Sequence, residues 1–250
     1  MLSDRDIKRE LGKNLLIYPL RSSSIKGASI NLNASKHAWS LKTKATITQD
    51  NVIIIAPHDT GLIETEETVA VSGRLAGTYH SRVKIVSSGG GHVGTTLNPY
   101  WIGHSLIAIH NHTDENIKIK VGEPFVTLVL HYLKRPAKRR EENPAGREDI
   151  LHAFSLSQET TDWLNEEPHS TRNWDDLKKL METEPDYCKL KRQGYKRKIL
   201  TAAGLILVAL LLGLILALCP PTSRLYNVLS VALSGCGLVI FGEIYKRWRT

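Results

Sequence analysis

Residues 199–218 read ILTAAGLILVALLLGLILAL, a run with no charge in which Thr201 is the one strongly polar side chain. A helix rises 1.5 Å per residue, so a run of this length reaches about 30 Å, the thickness of a bilayer's hydrocarbon core. Such a stretch is either a buried core helix or a membrane span, and its length favours the span. A second apolar run, 225–242, is interrupted only by the small polar residues Asn227, Ser230 and Ser234. The CPPTSR segment between them, 219–224, is long enough only for a tight reversal. The expectation is a C-terminal two-helix transmembrane hairpin: spans at 199–218 and 225–242, an external loop at 219–224 and a basic cytoplasmic tail at 243–250. Ala209, Gly213 and Ala217 in the first run and Ser230 and Ser234 in the second recur every four residues, which allows close helix approach.

Charge sets the orientation. Lys189, Lys191, Arg192, Lys196, Arg197 and Lys198 precede the first run and Lys246, Arg247 and Arg249 follow the second, whereas the connecting loop holds only Arg224. Both flanks are expected to face the cytoplasm, giving a two-pass membrane protein with its N-terminal domain and C-terminus cytoplasmic. The opening MLSDRDIKRELG is charged and lacks the apolar stretch of a signal peptide. The net charge of +8 is then explained by topology and by contact with anionic lipid, at roughly 1 kcal/mol per basic residue near the surface. Nucleic acid is not an expected partner. Cys188, Cys219 and Cys236 are odd in number, and two of them border or sit in the apolar runs, which argues against a disulfide framework.

Before the apolar runs, Ser3 and Asp6 form a capping-box pattern ahead of Ile7 and Leu11, predicting a short helix over 4–11. Short β-branched runs then recur at 45–48, 51–55, 68–71, 83–86, 105–109, 117–121 and 125–131, separated by turn residues. That rhythm predicts a mainly β barrel or sandwich and disfavours an α/β sheet. From 134 onward KRPAKRREENPAGRED reads as a charged linker, followed by weak helical patterns at 157–166 and 173–182. In the second of these Trp174, Leu177, Leu180 and Met181 share helical spacing and are expected to pack on the β domain or on a neighbouring subunit.

Across residues 1–133 the ordered motifs LSDRDIKREL, GASINL (27–32), GLIETEETVAV (61–71), LAGTYHSR (75–82), NPYWIGHSLIAIHN (98–111) and VGEPFVTLVLH (121–131) resemble the dCTP deaminase and dUTPase superfamily. The resemblance implies a dUTPase-like distorted β-barrel or jelly-roll domain, assembled as a homotrimer with deoxynucleoside triphosphate sites between subunits. It also implies where the site residues fall and where this chain departs from the pattern. Asn31 stands where the GASINL motif usually has Asp. Gly77 and Arg82 remain of the phosphate loop, but its paired small hydroxyls are out of register, and the usual aspartate of the fifth motif is Asn98. The position matching the general-base glutamate of the deaminases is Ala108.

Deamination and pyrophosphate hydrolysis both need a carboxylate to take a proton from water, or acidic groups to hold a Mg2+ that bridges phosphates. An amide accepts a hydrogen bond but neither titrates nor carries charge, and a methyl group does neither. The resemblance therefore implies nucleotide binding without the standard catalytic set. Arg82 is expected on phosphate, backbone amides around Gly77 as donors, and Tyr79 or Trp101 as stacking partners, with Ser81, Asn98 and Asn111 completing the site. No resident cofactor is called for, and Mg2+ enters only with a bound triphosphate.

Other motifs are weaker. Gly89, Gly90 and Gly91 lack a Walker lysine and read as a hairpin loop. His110 and His112 alternate near a strand end with His104 close in sequence, but no cysteine or carboxylate at ligand spacing completes a metal set, so no metal site is expected. Three functions stay open. The first is a membrane-anchored nucleotide sensor or effector, an architecture that would fit bacterial stress or phage defence. The second is an active membrane-tethered dCTP deaminase or dUTP pyrophosphatase using Glu64, Glu66, Glu67 or His80 in place of the missing groups. The third is a structural trimerisation domain.

Overall fold

The computed structural model describes residues 1–92, 94–139, 154, 161–162, 173–218 and 231. Two compact units divide the chain, Met1–Cys188 and Lys189–Thr250. The first opens on helix α1 (Asp4–Glu10), whose capping box forms as predicted: Ser3 Oγ accepts from the Asp6 amide at 3.2 Å and the Ser3 amide donates to the Asp6 carboxylate at 3.2 Å. Leu2 and Ile7, at the two positions of a hydrophobic staple, are both fully buried.

Fourteen strands among the described residues make the unit mainly β. They are β1 (Leu15–Tyr18), β2 (Ile25–Lys26), β3 (Ser29–Ser40), β4 (Thr48–Gln49), β5 (Val52–Ile55), β6 (Thr60–Thr65), β7 (Thr68–Val71), β8 (Leu75–Ser81), β9 (Gly90–His92), β10 (Thr96–Leu97), β11 (Ile102–Gly103), β12 (Leu106–Asn111), β13 (Ile117–Lys120) and β14 (Pro124–Tyr132). The main sheet runs β10-β8-β14-β3-β6-β12-β9 with β2 also on β3, and two smaller sheets run β1-β7-β11 and β13-β5-β4. Long strand β3 joins the two halves of the main sheet. Its first part pairs with β14 through Asn33 and its second part with β6 from Ala34, with the register shifting between Ala34 and Ala38. An irregularity of that kind bends a strand and curls the sheet it belongs to.

The core lies where strand faces converge: Trp39, Phe125, Leu16, Ile30, Leu32, Ile53 and Ile63 are fully buried. Each such side chain contributes about 1.5–3 kcal/mol through burial. On β13 the IKIK sequence alternates buried isoleucine with exposed lysine, the period of a strand with one wet face.

Four expectations need correction. Residues 83–86 form helix α2 (Val83–Ser87) rather than a strand. The β8 ladder with β14 ends at the Ser81–Val126 pair, and the Arg82 side chain then donates to the Pro124 carbonyl as the chain turns into α2. The 45–48 strand starts only at Thr48. Strands β1, β3, β6 and β8 were not among the predicted runs: β1, β3 and β6 are buried on both faces, and β8 alternates but carries few β-branched residues. Gly90 and Gly91 are strand, not loop: β9 pairs with β12, and a Cβ would meet Ile85 Cγ2 at 2.6 Å from Gly90 and His112 Nε2 at 2.3 Å from Gly91.

The connector contributes helix α3 (Trp174–Thr183), capped by the Asn173 side chain accepting from the Asp175 amide at 3.0 Å. Leu177 and Met181 are fully buried and α3 lies against β1, so the expected packing on the β domain is what forms. The helical pattern at 157–166 lies outside the described residues except at 161–162, which are helical.

Helix α4 (Pro185–Leu218) carries the basic segment and the first apolar run. Leu200, Leu207, Leu210 and Leu214 along it are each at least 60% exposed. Among the described residues no helix is long and apolar enough to cross a membrane, and several side chains of the 199–218 run are not among those described. The loop 219–224, the second run 225–242 apart from Val231, and the tail 243–250 lie outside the described residues.

Candidate functional site

Adjacent strands β3, β6 and β12 bring Ala108 into a defined row. Ala108 pairs with Leu62, and Leu62 pairs with Trp39 on the other side. Directly paired residues of antiparallel strands share a face, as do residues two apart along a strand. That face therefore also carries Leu106 opposite Glu64 and His110 opposite Thr60. The Ala108 methyl and Leu106 pack against a cluster of Trp39, Leu62 and Phe154. Phe154 is only 7% exposed, its ring 6.4 Å from that of Trp39 and tilted by 58°, and Lys44 Nζ lies 4.5 Å above its centroid. Where the resemblance implies a proton-accepting carboxylate, the sheet presents an apolar shelf roofed by an aromatic ring.

Of the residues proposed from sequence, Gly77, Tyr79 and Asn111 are buried within the domain. Gly77 is mid-strand in β8, paired with Leu97 and Leu130, and a Cβ there would meet Leu128 Cδ1 at 2.8 Å. Its glycine identity answers to packing, and its backbone belongs to ladders rather than to a phosphate cradle. Tyr79 is 3% exposed with its phenol hydrogen-bonded to Ser105, and burial holds its hydroxyl well above the usual tyrosine range. That ring is core and is not presented for stacking. Asn111 is fully buried; its Nδ2 donates to the carbonyls of Ile55, Ala56 and Glu115, and its Oδ1 accepts from the Thr113 amide and hydroxyl. An amide with both ends committed closes the β5 and β12 ends and has no capacity left for a nucleotide.

Four others remain half-buried. Ser81 ends β8, and Arg82 follows it with Nη1 donating to the Pro124 carbonyl at 2.8 Å. This bond aims the guanidinium and leaves other N–H groups of its fork. Asn98 sits after β10, accepting from Thr96 Oγ1 at 3.4 Å, and Trp101 precedes β11, its Nε1 donating to the Gly103 carbonyl at 3.1 Å. Asn31 accepts from Thr127 Oγ1 at 3.0 Å across the β3–β14 pair.

Carboxylates considered as replacements separate clearly. Glu66 makes a bidentate pair with Arg21 at 2.7 and 2.9 Å. Glu67 is buried, with both oxygens taking hydrogen bonds from Asn33. Burial outweighs those bonds and pushes the Glu67 carboxyl up to about 8. His80 shares a 2.9 Å hydrogen bond with Thr78 on the exposed surface. Glu64 alone of the four lies on the Ala108 face, fully buried.

His104 is buried and bonded to Thr68 Oγ1 and the Thr65 carbonyl, so it does not join His110 and His112, whose rings meet edge to face at 4.4 Å. Among the described residues no group of three or more His, Cys, Asp or Glu could hold a metal. Asn31 and Asn98 are neutral amides already engaged with threonines, so these residues do not fit a protein-held Mg2+. Sequence reasoning missed the Trp39 and Phe154 pairing altogether; Phe154 lies in the apolar stretch ILHAFSL, 150–156, that follows the charged linker.

The architecture is mainly β, with an antiparallel main sheet whose register shifts within β3. The family model for dCTP deaminase-like proteins matches residues 1–133, and the chain belongs to that family. Among similar proteins, dCTP deaminase of Pyrococcus horikoshii is 24% identical over 129 residues, covering 52% of this chain and 83% of the relative. That of Thermococcus gammatolerans is 27% identical over 139 residues, 56% of this chain and 86% of the relative. Of solved structures, 2'-deoxycytidine 5'-triphosphate deaminase from Agrobacterium tumefaciens aligns with a TM-score of 0.44 at 11% identity, covering 52% of this chain and 46% of that one. The chain thus spans about half the length of that structure.

Proposed function

We propose that this protein binds a deoxynucleoside triphosphate, or a related nucleotide, through its dCTP deaminase-like domain without turning it over, and that its C-terminal region holds the domain at an anionic membrane. The observation that carries the first half is the Ala108 row. The chain has a methyl group where the resemblance calls for the general base, and that methyl packs against Trp39, Leu62 and Phe154. Loss of a general base costs about 10²- to 10⁴-fold in rate. Arg82 is the cation offered to phosphate, Trp101 the partly exposed aromatic, and Mg2+ would arrive only with the triphosphate. The domain would work as a homotrimer.

Support for the membrane half is the apolar, exposed surface of α4 following Lys189, Lys191 and Arg192. Exposed leucines on successive turns need a cover, and the charge asymmetry of the flanks gives cytoplasmic N- and C-terminal parts in this reading. Coupling of nucleotide binding to the membrane would make the protein a sensor or effector of the kind used in bacterial stress or phage defence.

A second reading is favoured by Glu64, a carboxylate on the same face as Ala108 and one register pair along. In an active membrane-tethered deaminase or pyrophosphatase Glu64 would replace the absent base. Incubating the full chain in detergent with dCTP and dUTP, while following both product and thermal shift, separates these readings. A thermal shift without product supports the sensor. Product lost in Glu64→Gln supports the enzyme, and neither signal leaves a structural role for the domain.

A further inference from the structure

We infer that the cavity beside the β6–β7 turn is a binding site for an organic cation with an apolar body, an amine or a guanidine, and that this cation takes Glu66 in place of Arg21. Neither the Ala108 row nor Arg82 lines it, so the site stands apart from the nucleotide reading. The cavity measures about 340 Å3, within the range of small-molecule sites, and separate stretches of chain build it. Tyr18 and Pro19 come from the end of β1, Ala34 stands where β3 shifts register, Glu66 lies in the turn between β6 and β7, and Val121 in the turn between β13 and β14. The wall is mostly apolar, and a carboxylate is rooted in it: the Glu66 amide donates to the Asn33 carbonyl at 2.8 Å, next to Ala34.

Electrostatics around that carboxylate select the charge of the occupant. The Glu66 side chain is 32% exposed and takes two hydrogen bonds from Arg21, at 2.7 and 2.9 Å. Arg21 answers to more than one carboxylate, for Glu67 Oε1 is 3.8 Å from its Nη1 and Glu184 also acts on it. The next amide, that of Ser22, donates to Asp186 at the start of α4, at 2.6 Å. Arg21 therefore keeps other acidic neighbours when Glu66 is taken from it. Each Glu66 oxygen retains lone-pair capacity beyond its bond to Arg21, so a cation arriving from the cavity can make a charge-assisted bond of its own before Arg21 leaves. A neutral occupant would leave that charge unused, and an anionic one would be repelled by it. Lys36 also lines the cavity but is exposed, which lets its stem cover apolar surface while its ammonium stays in water.

Calorimetric titration of the full chain in detergent with phenethylamine, and with phenethyl alcohol as the uncharged counterpart of similar size, tests the choice of charge. The amine should bind more tightly by roughly 10-fold or more, the scale of one charge-assisted hydrogen bond. Glu66→Gln should erase that preference. Arg21→Gln, which removes the competitor and leaves the carboxylate, should instead bind the amine roughly 10-fold more tightly than the unsubstituted protein. An ion pair with a structural role alone would give no gain in Arg21→Gln, and thermal unfolding shows whether each variant is folded. Equal binding of amine and alcohol by the unsubstituted protein overturns the site, whether or not the variants fold, and so does the absence of binding by both probes. A folded Arg21→Gln that binds the amine no better overturns the competition.

Discussion

Apolar residues play opposite parts in the two units of this chain. In Met1–Cys188 they are inside: Phe125, Val126, Leu128 and Leu130 of β14 are fully buried, with half-buried Thr127, Val129 and His131 among and after them. Along α4 the leucines at 200, 207, 210 and 214 are exposed. The same side chain is thus satisfied by protein in one unit and left facing its surroundings in the other. Burial is a property of the partner surface as well as of the residue, and leucine on successive exposed positions of a helix leaves apolar surface that no described residue covers.

Charging the outward leucines should break the contrast with the largest effect. Leu207→Arg combined with Leu211→Arg is expected to cost roughly 5–7 kcal/mol of membrane insertion, at about 2.5–3.5 kcal/mol per charge, and to move the protein out of the floated vesicle fraction in flotation assays. Next, Phe125→Ala should destabilise the β domain by about 3–5 kcal/mol in denaturant unfolding, whereas Leu207→Ala should leave that transition unchanged.

The first unit carries its own electrostatic test. Because burial raises the Glu67 carboxyl to about 8 from an ordinary value of 4.5, the folded state holds its proton more tightly than the unfolded chain does. This contribution to stability is fully present below about pH 4.5 and is lost as pH rises through 8. Thermal midpoints should therefore fall between pH 5 and 8, and Glu67→Gln should flatten the slope. The smallest effect expected is at the α1 cap, where Ser3→Ala should cost about 1 kcal/mol.

Legibility in the sequence followed how local the cause was. Helix α1 and strand β7 could be read because a cap and a β-branched run lie within a few residues. Val83–Val86 has the same β-branched composition as β7, yet becomes helix where the β8 ladder stops at Ser81–Val126 and the Arg82 side chain donates to the Pro124 carbonyl, a partner more than 40 residues away. The fate of Tyr79 and Gly77 was hidden for the same reason: one is claimed by Ser105 and the other by the side chains of β14. Motif order gave the family, because order survives even when individual residues change. It could not show that Ala108 would be covered by Phe154, since nothing in either local sequence refers to the other.

Most direct for the central claim is a paired measurement on the unsubstituted, full-length protein: equilibrium binding of dCTP and dUTP alongside chromatographic detection of dUTP, dUMP and released pyrophosphate. With Ala108 in the row that the resemblance assigns to the base, the account predicts saturable binding and no product above the uncatalysed background. Turnover that saturates with substrate and disappears in Glu64→Gln would contradict it and make the protein an enzyme with a relocated carboxylate.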